Sequence, residues 1–239
     1  MAIYYLRDSK IEENTILVES KLFHHLKNVL RVRRGEELSL FNEGNIFRAI
    51  VKDVEKDSLI LQIENRLPQK LNKNPFQIAQ AAIEKNELEL AIKLIVSTGV
   101  KKVFVFRGER SDTKITATYI ERLNEIALNT AEQSEVCLVP EIEYFEKVED
   151  LLNSNELKEN LFSLSPNGAY SLKDAANAMK ENSEITFFIG PEGGFSEKEI
   201  NILKDKNARE VAIKSGIFRS QFAGVVAVLT TLELIALQD

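Results

Sequence analysis

The residues best placed to do chemistry form the run Ile189-Gly190-Pro191-Glu192-Gly193-Gly194-Phe195. It follows the apolar stretch Ile185-Thr186-Phe187-Phe188 and precedes Ser196-Glu197-Lys198-Glu199. A buried-strand pattern thus passes through a Gly/Pro loop into a helix start. Ser196 with Glu199 three residues on is a capping box, in which each side chain satisfies a free N–H at the helix end. Adjacent glycines let the backbone come close to a ligand where a side chain would collide with it. A short glycine motif is also an ordinary strand-to-helix turn in many proteins, so this loop alone does not decide. Two further loops share its character, Ser165-Pro166-Asn167-Gly168 and Lys214-Ser215-Gly216, each after a strand-like run. Ligands of α/β proteins sit beyond the carboxyl ends of parallel strands. Three such loops are better explained by one pocket than by three unrelated turns. The last continues as Ile217-Phe218-Arg219-Ser220-Gln221-Phe222-Ala223-Gly224, so Arg219 and Gln221 fall at a helix start beside that pocket. With no acidic neighbour in sequence, Arg219 is better read as a ligand-facing cation than as a surface arginine.

The elements that must position these residues divide the chain in two. Residues 1–67 are mostly β in character, with short runs at 3–6, 37–41, 46–51 and 59–63 separated by turn-like segments at 42–45 and 55–58. One helix over 20–30 interrupts them, with Leu22, Phe23, Leu26, Val29 and Leu30 on one face. A small barrel with an attached helix fits this pattern. Residues 66–75 are polar, hold two prolines and lack periodicity, which predicts a linker centred on 68–75. From residue 76 to 239, strand-like runs at 76–82, 103–106, 136–139, 161–164, 185–189 and 211–213 alternate with helical stretches near 86–97, 118–132, 171–181, 197–205 and 222–237. That alternation predicts an α/β domain with a mostly parallel sheet covered on both faces.

Composition excludes several classes. At 239 residues, with 44% hydrophobic and 28% charged residues, the chain has the profile of a globular protein. The longest apolar tract, 225–237, is shorter than the roughly 20 residues that span a bilayer, and no secretory leader is evident. No membrane partner and a cytoplasmic location are expected. The single cysteine, Cys137, cannot form an internal disulfide and reads as a buried strand residue in Val136-Cys137-Leu138-Val139. His24 and His25 are adjacent and without further ligands, so no structural metal is expected. The net charge of −6 argues against a generally basic nucleic-acid binder. Its distribution argues otherwise. Lys21, Lys27, Arg31, Arg33 and Arg34 fall within 21–34, and Arg66, Lys70 and Lys73 within 65–83, with no acidic residue in either stretch. The acidic excess lies elsewhere, notably over 141–159. A local basic patch still attracts phosphates, because only the nearby field survives physiological salt.

With GPEGGF (190–195), the segment IKSGIFRSQFA (213–223) and the middle segments GERSDTK, AEQS and VPEI, the chain resembles the SPOUT-class RNA methyltransferases. Its nearest likeness is the RsmE family of ribosomal small-subunit RNA uridine-N3 methyltransferases, over nearly the whole length. His24 to Arg31 followed by Arg34-Gly35-Glu36 is similar to that family's PUA-like RNA-binding barrel. The resemblance implies a SPOUT-like sheet with a C-terminal trefoil knot, S-adenosylmethionine held by the knot loops, a homodimer, and small-subunit ribosomal RNA or the 30S particle as partner. It assigns the cofactor to Leu164, Ser165, Ile189, Gly190, Pro191, Glu192, Gly193, Ile213, Ser215, Gly216 and Ile217. It assigns the RNA to Lys27, Arg31, Arg33, Arg34 and Arg110, and catalysis to Arg219 and Gln221.

The chain departs from the family pattern LGxRILRTETA, in which Ile213-Lys214 replaces Leu-Gly, Gly216 the first Arg, Gln221 the Glu and Phe222 the second Thr. Val136 and Ser97-Thr98-Gly99-Val100 replace a further arginine and an ELGV run. For transfer to a uridine N3, a cation near a uracil carbonyl favours the anion that forms as N3 loses its proton. Gln221 hydrogen-bonds but cannot act as a base near neutral pH. Two readings stand at this point: an active rRNA methyltransferase, and a diverged relative that binds RNA in ribosome assembly with little or no transfer.

Overall fold

The computed structural model describes residues 3–7, 9–42, 45–68, 74–134, 136–157, 160–179 and 183–238. By its contacts the chain divides into two units, Met1–Asn72 with Ala131–Leu138, and Lys73–Thr130 with Val139–Asp239.

The first unit carries β1 (Ile3–Tyr5), β2 (Lys10–Glu12), β3 (Thr15–Val18), α1 (Ser20–His24), β4 (Glu37–Asn42), β5 (Asn45–Val54) and β6 (Leu59–Pro68). Their order in one sheet is β1-β4-β5-β6-β3-β2. Alternation places Leu38 and Leu40 of β4, Phe47, Ala49 and Val51 of β5, and Leu59 and Leu61 of β6 in one core with Ile16, Val18, Phe23 and Leu26. Register shifts at Arg48/Ala49 and Val51/Asp53 bend the long β5–β6 pair, the local device by which a sheet curls around a core. The β2–β3 hairpin escaped the sequence reading; Glu13 turns it at a positive φ of 24°.

Two sequence expectations change here. The helix over 20–30 is α-helical only to His24 and continues as a π-helical turn over His25–Val29, where Leu30 N–H reaches back to the His25 carbonyl. The widened turn rotates Val29 and Leu30 off the buried face, leaving them 65% and 43% exposed, while Phe23 and Leu26 stay inside. Arg66 and Leu67, read as linker, belong to β6, which runs to Pro68. Residues 69–73 of that stretch, with Lys70 and Lys73, lie outside the described residues, as do Glu43 and Gly44 of the turn over 42–45.

The second unit carries β7 (Phe76–Ala81), α2 (Lys85–Val96), β8 (Lys102–Phe106), α3 (Ala117–Ser134, whose end falls in the first unit), β9 (Glu141–Phe145), α4 (Val148–Leu152), β10 (Asn160–Leu164), β11 (Tyr170–Ser171), α5 (Leu172–Asn177), β12 (Ile185–Ile189), α6 (Glu197–Asp205), β13 (Arg209–Ala212) and α7 (Ser220–Ala236). Its seven strands run in the order β11-β13-β10-β12-β7-β8-β9, and every pairing is parallel. All residues of β7 and β12 are buried, as central parallel strands covered on both faces require. Phe187 packs between Phe76 and Phe162 with ring centroids at 5.6 and 5.8 Å. The parallel α/β architecture expected from the sequence is present.

The strand expected at 136–139 is not there. Cys137 is buried, but at φ 57°, a left-handed conformation that no strand accommodates. The strand that flanks β8 instead is β9, inside the acidic stretch. Its two glutamates are partly offset by tertiary contact, since Lys102 on β8 reaches Glu141 and Glu143, together with Glu156. Burial works against the charge of Lys102, but hydrogen bonds to Glu143 and Glu156 and the neighbouring carboxylates outweigh it and raise its pKa. Helix α5 is shorter than the stretch 171–181 expected for it, and α4 was not foreseen. Among the described residues no helix is long and apolar enough to cross a membrane.

Candidate functional site

Strands β13, β10 and β12 lie side by side and parallel, so the three loops singled out in the sequence emerge at one end of the sheet. The loop after β12 begins with buried Gly190 and Pro191 and turns outward through exposed Glu192 and Gly193. Gly194 closes the turn at φ 69° with its N–H on the Pro191 carbonyl at 2.8 Å. Phe195 then drops back into the core, its ring parallel to Phe106 at 6.3 Å. The capping box follows as the sequence indicates: Ser196 Oγ accepts from Glu199 N–H at 3.1 Å, and Glu199 Oε2 accepts from Ser196 N–H at 2.8 Å. The second oxygen of this buried carboxylate accepts the N–H of Glu109 at 3.0 Å, tying the loop after β8 to the same corner. Arg110, on that loop, donates from Nη1 to the Gly193 carbonyl at 2.6 Å.

The loop 165–169 crosses over β13. Ser165 donates its N–H to the Val211 carbonyl at 3.0 Å, and β10 and β11, which this loop joins, pair with β13 on its two sides. A Cβ at Gly168 would lie 2.5 Å from the Val211 carbonyl carbon, so only glycine allows the crossing. Leu164 and Ser165 are half-buried here. The loop after β13 is open: Ile213 is half-buried, Ser215 and Gly216 are exposed, and Ile217 is 85% exposed. A side chain at Gly216 would meet nothing within 4 Å.

The two catalytic candidates start α7. Arg219 is the N-cap residue, with its carbonyl taking the N–H groups of Phe222 and Ala223 at 2.9 and 3.1 Å and its side chain exposed. Gln221 points the other way and is 3% exposed; its Oε1 has no hydrogen-bond partner among the described residues. Between them Ser220 donates to the Gly190 carbonyl at 2.6 Å, which brings the third loop to the first. Ser220 and its partner Gln80 were missed in the sequence. The signal was the pair of glutamines, Gln77 and Gln80, inside an otherwise apolar buried strand. The residues thus brought together place the backbone of three loops and the exposed guanidinium of Arg219 at one end of the sheet. A separate cleft of about 280 Å³ lies beyond β8 and β9, but Arg107–Glu146 (3.1 Å) and Lys198 with Glu109 and Glu149 (both 3.3 Å) pair its charges internally.

On the first unit the four basic candidates have different roles. Lys27 donates to the carbonyls of Glu55 and Lys56 at 2.8 and 2.9 Å and lies 4.8 Å over the Phe23 ring, so it fastens the β5–β6 turn. Arg31, Arg33 and Arg34 are exposed and make no ion pair among the described residues. They follow directly on the exposed Val29 and Leu30.

Residues 70–232 match the family model of the RNA methyltransferase domain, and residues 18–64 that of the RNA methyltransferase PUA domain. The "Ribosomal RNA small subunit methyltransferase E" of Rickettsia conorii is 30% identical over 92% of this chain and 88% of its own length. The chain belongs to the ribosomal RNA small subunit methyltransferase E family. A second such methyltransferase, from Borreliella burgdorferi, is 27% identical over 91% of each chain. The crystal structure of the methyltransferase E of Neisseria gonorrhoeae bound to S-adenosyl methionine is 25% identical and superimposes with a TM-score of 0.82 over 98% of both chains. Methyltransferase E family membership accounts for both units at once: the curled six-stranded sheet corresponds to the PUA match and the parallel sheet to the methyltransferase match.

Proposed function

We propose that this chain transfers a methyl group from S-adenosylmethionine to N3 of a uridine in small-subunit ribosomal RNA. The observation that carries this reading is the convergence of three loops of adjacent parallel strands with Arg219, joined by the Ser220–Gly190 hydrogen bond at 2.6 Å. Family membership and the cofactor-bound relative support it over the non-catalytic alternative.

The residues fit the cofactor. Leu164, Ser165, Ile189, Gly190, Pro191, Glu192, Gly193, Ile213, Ser215, Gly216 and Ile217 line the three loops, and open space beside Gly194 and Gly216 leaves their backbone approachable. Backbone recognition explains why Lys214 and Ser215 can replace other side chains. When bound, S-adenosylmethionine supplies an electrophilic methyl group. The remaining work belongs to the chain and the base. Arg219 is free to face a uracil carbonyl oxygen and stabilise the anion as the N3 proton leaves for solvent. The electron pair left on N3 takes the methyl carbon as the carbon–sulfur bond breaks. Gln221, buried and neutral, does not act as a base. N3 is hidden in a Watson–Crick pair, so the target uridine is bound unpaired or extruded.

Arg31, Arg33 and Arg34 of the first unit and Arg110 of the second are read as RNA contacts, with affinity falling steeply as salt rises. Three further expectations belong to the same reading. A C-terminal trefoil knot is expected, and the crossing of loop 165–169 over β13 supports it. The exposed apolar residues Phe218, Phe222 and Leu229 on and before α7 are read as the face of a homodimer. The protein works in the cytoplasm, where ribosomes assemble. Calorimetric titration with S-adenosylmethionine tests the pocket: micromolar affinity near one per chain is expected, and no heat of binding would refute the assignment. Sedimentation at micromolar concentration tests the dimer, which a monomeric mass would refute.

A further inference from the structure

Two of the six residues of β7 are amides, Gln77 and Gln80, in a strand where every residue is buried. Gln77 is satisfied by the sheet itself: its Oε1 accepts the Thr186 hydroxyl at 3.0 Å and its Nε2 reaches Glu184 at 3.3 Å. Gln80 is fully buried and aims elsewhere. Its Nε2 donates to Ser220 Oγ at 2.9 Å and to the Ala81 carbonyl at 3.1 Å. Ser220 passes the chain on, donating from Oγ to the Gly190 carbonyl at 2.6 Å. Three elements therefore meet in one buried relay: strand β7, the first residue of α7 and the first residue of the loop after β12. Hydrogen bonds in such a chain polarise and strengthen one another. One turn further along, a Cβ at Gly224 would lie 3.4 Å from the Ile95 side chain and 3.5 Å from that of Ile189, so α7 packs closely against both there.

Packing alone does not call for an amide at position 80. Both hydrogens of its Nε2 are used, while its Oε1 is buried with no partner among the described residues. An unpaired buried acceptor is unfavourable, so the residue is kept for its donors. What those donors fix is the N-terminal turn of α7, and Arg219 is the residue immediately before Ser220. We propose that Gln80 and Ser220 are positioning residues for methyl transfer: together they set the backbone of Arg219 against the Gly190 loop. This rests on the methyl-transfer reading above, in which Arg219 faces the base and Gly190 the methyl donor. A displacement of about 1 Å between such groups lowers turnover by about 100-fold without removing either ligand.

The test compares wild type with Ser220→Ala, Ser220→Thr and Gln80→Met. Turnover is measured at saturating S-adenosylmethionine and small-subunit particles, the KM for S-adenosylmethionine beside it, and amide exchange of residues 219–224 in each protein. Ser220→Ala and Gln80→Met are expected to lower kcat by about 10- to 100-fold with KM changed by less than about threefold. Both should speed exchange at 219–224 while the rest of the sheet exchanges as before, and Ser220→Thr, which keeps the hydroxyl, should restore kcat and exchange. The proposal is overturned if Ser220→Ala turns over as wild type, if kcat falls only with the folded fraction, or if exchange at 219–224 does not change. Inactive wild-type protein would refute the methyl-transfer reading and this role with it; with an active wild type, unchanged exchange in Ser220→Ala and Gln80→Met would refute the positioning role alone.

Discussion

The guanidinium of Arg110 donates to the carbonyl of Gly193 at 2.6 Å, so a residue expected from the sequence to face RNA is attached to the loop expected to hold the methyl donor. Arg110 is exposed and has donors left over, which lets it fasten the loop and still meet a phosphate. Arg110→Ala should leave the fold intact and weaken S-adenosylmethionine binding by about fivefold, the equivalent of one hydrogen bond of about 1 kcal/mol. It should also lower the salt dependence of RNA binding. Calorimetry and a salt series check both; unchanged cofactor affinity would show that the loop holds its shape without the arginine.

Arg219 is exposed at the N-cap of α7, and its side chain makes no cap hydrogen bond. Removing it therefore removes little that holds the fold together. Arg219→Ala should lose about 100- to 1000-fold in turnover, the range seen when a single group that stabilises a developing anion is deleted. Its melting temperature should stay near that of wild type. Turnover close to wild type would take Arg219 out of the chemistry.

Gly168 sits where loop 165–169 crosses β13. A methyl group there would lie 2.5 Å from the Val211 carbonyl carbon and 2.6 Å from the Ala212 nitrogen, and backbone cannot move aside as a side-chain tip can. Gly168→Ala should destabilise the chain by about 2 kcal/mol or more and weaken cofactor binding through the same loop. Denaturant unfolding measures the first and titration the second. A neutral result in both would mean that the crossing is looser than these distances.

Glu132 reports on the first unit through pH. Its Oε1 accepts the N–H of Tyr5 at 3.0 Å. Burial raises its pKa above the ordinary carboxylate value, against the opposing effects of that hydrogen bond and of His25. A carboxyl group whose folded pKa is raised favours folding while protonated, and that contribution is lost as pH rises through the folded value. Glu132→Gln keeps an acceptor for Tyr5 and cannot ionise. It should therefore be at least as stable as wild type at pH 7, with its advantage shrinking towards pH 4. Unfolding curves at the two pH values decide; an advantage that grows on acidification would reverse the sign assigned to burial here.

Local signals in the sequence carried much of this site. The path from β12 through Gly190 to the Ser196–Glu199 capping box is encoded within about fifteen consecutive residues, and capping, apolar run and glycines all agree there. The failures occur where a partner distant in sequence decides. Glu141 and Glu143 look like a solvated stretch until Lys102, on the neighbouring strand, pairs with them. The run 136–139 has the composition of a strand, yet Cys137 adopts a left-handed backbone that composition does not reveal. Val29 and Leu30 keep a helical spacing, but one widened turn moves them to the surface. Gln80 and Ser220 are 140 residues apart, and nothing near either one announces the other.

The central claim is best tested by transfer itself. The purified protein should be incubated with tritiated S-adenosylmethionine and small-subunit particles from cells lacking the family's enzyme, and the RNA digested to nucleosides. Label is expected in N3-methyluridine, and absent with Arg219→Ala. Particles that stay unlabelled, or label in any other nucleoside, would contradict it.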